Sequence, residues 1–168
     1  HNMNTKIQKI EQYFNNEIPS LINICKEIVK KNSDLKAVYI VGGMIRDILS
    51  DLNPSEPDIA VAGNFNKFVN LLSEKYNGKI KFHRDFISAQ IYTNILHIDI
   101  NCLRTEKYNH PGSLPETKAT LDIEQDLIRR DFTVNAIAIN ISDLEKFKLI
   151  DPYKGMEDIY EKKIKVLH

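Results

Sequence analysis

Three acidic residues have the types and spacing that phosphate chemistry requires. Glu56 and Asp58 are two residues apart at the start of a predicted strand, so both carboxylates should face one side. Asp99 lies in another predicted strand, where Ile98 and Ile100 face the opposite way. Carboxylates from neighbouring strands can hold two Mg²⁺ ions and help to deprotonate an attacking hydroxyl. Taken one at a time, the three acids could equally be solvated residues at a loop end and on a polar strand face.

A glycine pair offers a place for phosphate groups. Gly42 and Gly43 directly follow one predicted strand and precede a predicted helix, where backbone N–H groups can surround a phosphate. Arg46, in the first turn of that helix, could bind a phosphate through two parallel hydrogen bonds. The alternative is an ordinary turn, because glycine tolerates positive φ angles.

A second polar cluster precedes an apolar stretch near residue 134. Arg129 and Arg130 are adjacent, and guanidinium groups match the geometry of a triphosphate. Asp131 or Asn135 could hydrogen-bond a ribose hydroxyl. The alternative is a helix C-terminus whose arginines suit the helix dipole, followed by Thr133 as the N-cap of the next element.

The elements that must position these residues follow from the spacing of apolar side chains. The pattern predicts a helix over residues 6–31, which Pro19 kinks or restarts. Asn77-Gly78 is typical of a hairpin, residues 105–120 read as a loop, and residues 132–141 fit either helix or strand. This order predicts an α+β or mixed α/β fold with helices against one sheet. The remaining predicted strands are 37–41, 58–62, 79–83, 86–93, 96–103 and 149–150, and the remaining helices are 44–49, 65–76, 122–129 and 155–162.

Length and composition limit the class of protein. The chain has 168 residues, 42% of them hydrophobic, which suits one globular domain. Its 23 Lys+Arg and 23 Asp+Glu balance, which excludes a strongly basic nucleic-acid binder but leaves room for a local basic patch. No apolar stretch is long enough to cross a membrane, and the polar N-terminus argues against a signal peptide. Cys25 and Cys102 are predicted to be buried free thiols rather than zinc ligands, and we expect a cytoplasmic protein.

Five stretches resemble motifs of one enzyme family, in that family's order and spacing. The family is the class II tRNA nucleotidyltransferases and bacterial poly(A) polymerases, and the resemblance is to their N-terminal head, the catalytic domain. Residues 41–47 resemble V-G-G-x-[VI]-R-D, and residues 56–58 resemble D-x-D. Residues 98–108 resemble the third-carboxylate strand and R-x-E-x-Y, residues 126–136 resemble D-L-x-R-R-D-F-T-[VI]-N-A, and residues 151–158 resemble D-P-x-x-G-x-x-D. An unrelated phosphate-binding domain with chance matches is a poor alternative, because motif order and context agree.

The resemblance implies a fold and a reaction. The fold is the α+β nucleotidyltransferase, or polymerase-beta-like, fold, which has a mixed sheet with helices packed mainly on one face. The reaction adds CMP or AMP from CTP or ATP to an RNA 3′ end with release of pyrophosphate, and the expected RNA is tRNA that lacks its terminal CCA. The resemblance also assigns roles to residues: Glu56, Asp58 and Asp99 are catalytic and hold two Mg²⁺, and the nucleotide is bound by Gly42, Gly43, Arg46, Arg130, Asp131 and Asn135. Two alternatives remain, a poly(A) polymerase of the same family and a catalytically weakened nucleotide-binding module of a larger protein.

Two departures from the family pattern bear on activity. Glu56 stands where the family has Asp, and Mg²⁺ demands near-ideal octahedral geometry. Because both side chains supply carboxylate oxygens, we favour a working site. Pro57, between the acids, cannot donate a ladder hydrogen bond, which predicts that this strand end lies at a sheet edge or is irregular.

The second departure concerns length. The family selects nucleotides and grips tRNA with neck, body and tail helices, and the chain stops at His168, before these helices. We therefore expect a head domain at residues 36–168 after a helical segment at 4–35, with residues 1–3 as an expression-tag remnant and the start. Residues 58–64, together with Phe82-His83-Arg84 and Phe86, resemble the A-adding or CC-adding members most.

Overall fold

A seven-stranded mixed sheet organises the chain in the computed structural model, which describes residues 3–83, 85, 87–143 and 147–168. Within these residues the strands are β1 (Leu35–Val41), β2 (Asp58–Gly63), β3 (Lys79–His83), β4 (Ser88–Tyr92), β5 (His97–Cys102), β6 (Arg104–Lys107), β7 (Glu116–Ala119), β8 (Ala138–Asn140) and β9 (Lys148–Ile150). The sheet has the order β3-β4-β5-β2-β1-β8-β9, and β6 and β7 form a separate hairpin. In the described part of the sheet, β2 and β5 are parallel and the other neighbours are antiparallel.

The helices begin and end where local sequence signals place them. Pro19 occupies the first turn of a new helix, so the predicted long helix is two helices with a restart at proline. Asn64 caps α4 by accepting a hydrogen bond from the backbone N–H of Lys67, 3.2 Å away. The helices are α1 (Met3–Glu17), α2 (Pro19–Lys31), α3 (Gly43–Leu49), α4 (Phe65–Tyr76), α5 (Ile123–Ile128) and α6 (Gly155–Tyr160), and a 3-10 helix spans Thr133–Asn135.

The main hydrophobic core lies between one face of the sheet and α1, α2 and α4. Phe14, Leu21 and Phe68 are fully buried, each from a different helix of this layer. Burying a side chain of this size contributes about 1.5–3 kcal/mol. The ring of Phe14 also meets that of Phe147 edge-on, with centroids 5.3 Å apart. The predicted packing of helices mainly on one face is therefore confirmed.

The opposite face carries a smaller core and the candidate site. Leu127 of α5 packs there against residues of β1, β2 and β8, such as Tyr39, Ala60 and Ala138. The same face of β3, β4 and β5 carries polar side chains, because Ile80, Ile91 and other apolar residues of these strands belong to the main core. The sheet is thus covered by a full helical layer on one side and only in part on the other.

Several sequence predictions differ from the structure for local reasons. Asn77 is the left-handed C-cap of α4 (φ 49°) rather than part of a hairpin turn. Residues 105–120, predicted as a loop, contain most of the β6–β7 hairpin, whose strands are polar and lack the apolar alternation that marks a strand. Residues 132–141 contain the 3-10 helix followed by β8.

Pro57 precedes β2, which is a central strand between β5 and β1. The prediction that this strand end lies at a sheet edge is therefore wrong. The strand begins only at Asp58, and the carbonyl of Pro57 accepts a hydrogen bond from the backbone N–H of Asp99, at 3.0 Å. Proline is tolerated there because its carbonyl, not the missing N–H, makes the ladder contact.

Both cysteines are buried free thiols, as the sequence predicts. Within the described residues, the helices are all too short or too polar to cross a lipid bilayer.

Candidate active site

Parallel pairing of β2 with β5 sets Asp58 directly beside Asp99. The two residues are aligned partners in the register, on strands about 4.8 Å apart. Ile59, Ile98 and Ile100 point into the main core, so both carboxylates face the opposite side of the sheet. The structure therefore brings together two of the three predicted metal ligands.

Asp58 is largely buried, and its surroundings shift its titration. Burial raises the pKa of Asp58 to about 6, an effect that the charge of Asp99 adds to and that of Arg130 opposes. The amide of Asn101 donates a hydrogen bond of 3.4 Å to this carboxylate. A Cβ on Gly42 would lie at ordinary contact distance, 3.5 Å from the Asp58 carboxylate and 3.8 Å from Arg130, so the positive φ of 75° rather than lack of space favours glycine here.

Glu56 pairs with a histidine that lies near Asp99. It precedes β2, and its Oε2 lies 2.7 Å from His97 Nδ1. The other ring nitrogen of His97 is buried and lies 3.8 Å from an oxygen of Asp99. Sequence reasoning did not single out His97, because its partner Glu56 lies on a different segment of the chain.

The donor atoms at this site suit Mg²⁺ in kind. Asp58, Asp99 and Asn101 supply carboxylate and amide oxygens, the ligands that Mg²⁺ prefers, and a bound cation would offset the buried charge of Asp58. Across residues 3–83, 85, 87–143 and 147–168, no three His, Cys, Asp or Glu side chains are grouped closely enough to hold an ion. The fit is thus to a metal held by two protein carboxylates and completed by substrate phosphate and water.

The first turn of α3 joins two of the predicted nucleotide-binding residues. Gly42 is the N-cap of α3 (φ 75°), and Gly43 begins it. Nη1 of Arg46 donates to Oδ1 of Asn135 at 3.1 Å, so residues far apart in sequence lie together. Asp47 is buried beside them.

Asp47 holds the loop that leads to the acids. Its carboxylate accepts hydrogen bonds from the backbone N–H and the hydroxyl of Ser55, at 3.1 and 2.8 Å. Burial alone would raise the pKa of Asp47, but the hydrogen bonds from Ser55 and Arg46 lower it overall. The sequence signal for a functional role is the pair of charged residues Arg46 and Asp47 in an otherwise apolar short helix, but it does not identify the partner of Asp47.

Asp126 fixes the arginine cluster. It is fully buried and accepts hydrogen bonds from Arg129 Nε and Arg130 Nη2, both at 3.2 Å, and from the backbone N–H of Arg104 at 3.0 Å. Sequence reasoning included Asp126 in a motif but gave it no role. Its contact with Arg130 orients that side chain toward Asp58.

The other members of the polar cluster have different surroundings. Arg129 is the C-cap of α5, and its side chain also lies 3.6 Å from Glu106. It therefore takes part in the ion pairs around Asp126 rather than facing an open site. Thr133 is not an N-cap, since its hydroxyl donates to buried Asp158 at 2.6 Å. Asp131 is exposed, and its backbone carbonyl accepts a hydrogen bond from Leu167.

The raised pKa of Asp58 predicts a pH-dependent stability. Because the folded-state pKa of about 6 exceeds the unfolded value, the folded state binds more protons between pH 4 and 6, and stability falls as pH rises through that window. Without divalent cations, wild type should lose up to about 3 kcal/mol that Asp58→Asn retains. Urea unfolding from pH 4 to 7 measures this, with Asp51→Asn as the exposed control. Equal pH profiles for wild type and Asp58→Asn would contradict the assignment.

Removing the charge of Asp126 should destabilise the fold. Asp126→Asn leaves Arg129 and Arg130 without their buried counter-charge, which costs about 3 kcal/mol in unfolding free energy. Asp122→Asn is the matched control on the same helix, because Asn caps as well as Asp and should change stability by less than about 0.5 kcal/mol. Similar denaturation midpoints for the two variants would show that the arginines do not depend on Asp126.

Comparisons with known proteins agree with this geometry. The model of the poly(A) polymerase head domain matches residues 38–165. The A-adding tRNA nucleotidyltransferase of Halalkalibacterium halodurans is 32% identical over 155 residues, which are 89% of this chain and 36% of that relative. The chain thus spans little more than a third of this relative's length.

Solved structures share the fold at similar identity. A CCA-adding enzyme in an apo form is 31% identical with a TM-score of 0.84, covering 96% of this chain and 38% of the other. A tRNA nucleotidyltransferase bound to primer tRNA and an incoming ATP analogue is 30% identical with a TM-score of 0.69, covering 86% of this chain and 39% of the other. The expected nucleotidyltransferase fold is therefore confirmed, and the chain belongs to the poly(A) polymerase head domain family.

Proposed function

We propose that this chain is the catalytic head of a tRNA nucleotidyltransferase, which transfers CMP or AMP from CTP or ATP to a tRNA 3′ end. The observation that carries the proposal is the register that sets Asp58 beside Asp99 on parallel strands, with Arg130 close by. The relatives named above, A-adding and CCA-adding enzymes, support the choice of tRNA. We also propose that the protein works in the cytoplasm, because its proposed substrate is tRNA.

Each side chain of the site has a separate task in this proposal. Asp58 and Asp99 would hold Mg²⁺, with Glu56 as the third carboxylate expected for a two-metal site, and the metal would activate the attacking 3′-hydroxyl and offset the charge of the triphosphate. Asp58 and Asp99 also orient that hydroxyl. Pyrophosphate is the leaving group, and the α-phosphate is attacked in line.

The nucleotide is bound on the other side of these carboxylates. The backbone at Gly42 and Gly43, where α3 begins, accommodates phosphate groups. Arg46 and Arg130 neutralise the triphosphate, and Asn135, already hydrogen-bonded to Arg46, reaches the ribose. Asp131, exposed beside this cluster, is the second ribose contact.

The product of the reaction depends on regions outside this chain. The H. halodurans relative is A-adding, which favours addition of the terminal AMP. Of the residues on which the sequence likeness to A-adding and CC-adding members rests, Arg84 and Phe86 lie outside the described residues. A poly(A) polymerase of the same family remains the alternative product class.

Binding of nucleotide should require metal and Asp58. A ligand present at about 100 times its Kd stabilises the folded state by about 2.7 kcal/mol, which a thermal-shift titration with ATP or CTP plus Mg²⁺ detects. We expect this shift for wild type, none without Mg²⁺, and none for Asp58→Ala. Asp51→Ala, on the exposed loop, should respond like wild type. No stabilisation of wild type, or full stabilisation of Asp58→Ala, would sink the proposal.

One observation favours a second candidate, a weakened nucleotide-binding module. Oε2 of Glu56 lies 2.7 Å from Nδ1 of His97, and Glu56 is not aligned beside Asp58 and Asp99. Glu56→Asp separates the two candidates, because a shorter side chain no longer reaches His97 but restores the residue type of the family. If Glu56 is a working ligand, Mg²⁺ affinity and nucleotide addition should fall about tenfold or more. Improved affinity or activity would instead mark a decayed site.

A further inference from the structure

Half of the sheet on the candidate-site face has no role so far. The registers define its rows, each read from the edge strand β3 inward. Lys79 aligns with Tyr92 and then His97, and Lys81 aligns with Gln90 and then Asp99. Aligned side chains share a face, so the lysines and Tyr92 lie on the same face as the catalytic carboxylates. The alternate residues of the three strands lie in the main core.

The geometry of in-line displacement indicates which substrate approaches over this half of the sheet. This step rests on the proposed function. The attacking hydroxyl and the leaving pyrophosphate must lie on opposite sides of the α-phosphate. The groups for the triphosphate, Gly42, Arg46 and Arg130, lie on the side of β1 and β8, as the strand order shows. The 3′ end of the RNA must therefore enter from the side of β5, β4 and β3.

The edge of this half carries unpaired positive charge. Lys79 and Lys81 are exposed, and neither pairs with a carboxylate among the described residues. Lys81 lies two strand spacings, about 10 Å, from Asp99, and Lys79 lies the same distance from His97, so both are within reach of the last few backbone phosphates of a bound strand. Phosphate contacts of this kind dominate the affinity of proteins for nucleic acids.

Between these lysines and the carboxylates lies an aromatic surface. Tyr92 is 43% exposed and stacks on His97 with ring centroids 4.5 Å apart and planes at 20°. Its hydroxyl donates to Gln90 at 2.6 Å, and Gln90 in turn donates to Asp99 at 3.0 Å, which fixes the ring orientation. Lysines alone could serve to protect an edge strand from pairing. A fixed, exposed ring between them and the carboxylates is instead suited to stacking an unpaired base.

We infer that the 3′-terminal nucleotides of the RNA lie across the exposed face of β3, β4 and β5, with a base stacked on Tyr92 and backbone phosphates at Lys79 and Lys81. The ligand is a single strand, because a base inside a duplex has both faces covered by its stacked neighbours and none left for Tyr92. This surface belongs to the chain itself and does not need the rest of a longer enzyme to exist.

Fluorescence anisotropy with a 5′-labelled oligoribonucleotide ending in CC, with Mg²⁺ and an unreactive ATP analogue, tests this surface. Lys79→Gln/Lys81→Gln should reduce the slope of log affinity against log salt by about 1.4, since each single-strand phosphate contact contributes about 0.7. Tyr92→Ala should weaken binding about tenfold, whereas Tyr92→Phe, which loses the hydroxyl but keeps the ring and its stacking on His97, should weaken binding much less.

The matched control is Lys30→Gln/Lys36→Gln, which removes the same charge from exposed positions. Lys36 lies near the start of β1, at the end of the strand that is far from Asp58. The slope of log affinity against log salt should therefore not change. The lysine variants should keep the thermal shift with ATP and Mg²⁺. If wild type shows no such shift, the proposed function itself fails. If the shift is present but wild type does not bind the RNA, or both lysine pairs change the slope equally, or Tyr92→Ala binds like wild type, the RNA surface is overturned.

Discussion

Two carboxylates held side by side on neighbouring parallel strands are the constraint on which the rest of this structure depends. Asp58 and Asp99 repel each other when ionised, and burial raises the pKa of Asp58 further. The arrangement persists because compensating groups surround it: Arg130 on one side, the amides of Asn101 and Gln90 on the other. The same repulsion favours binding of a cation. A bound cation would relieve the electrostatic free energy that destabilises the free protein, and this relief would add to its affinity.

A second group of contacts links the paired carboxylates to the β6–β7 hairpin and to Arg130. Asn101 contacts Asp58 and accepts from Arg104, whose Nε donates to Glu106 at 3.0 Å. Asp126 joins the backbone of Arg104 to the side chain of Arg130. The base of the β6–β7 hairpin, the carboxylates and Arg130 are therefore one hydrogen-bonded unit, in which a change at any member alters the electrostatic field at Asp58.

Much of this was predictable, and the exceptions have physical causes. The bounds of α4 and β3 match the sequence pattern, because apolar periodicity and the Asn64 cap are local signals. The motifs located the acids and arginines but not their partners. The contacts of His97 with Glu56 and of Asp47 with Ser55 join different segments of the chain, and no local pattern encodes them. The β6–β7 hairpin was missed since its pairing is stabilised by backbone hydrogen bonds and polar side chains rather than by burial.

The parallel pairing of β2 with β5 also has a consequence for how the protein reaches its working state. Parallel neighbours cannot be joined by a tight turn, and here α4, β3 and β4 lie between them in the chain. The loop-closure entropy of that long crossover must be overcome before Asp58 and Asp99 meet, whereas the β3–β4 hairpin can close early. We therefore expect Asp58 and Asp99 to come together late in folding, after the helices and the β3–β4 hairpin have formed.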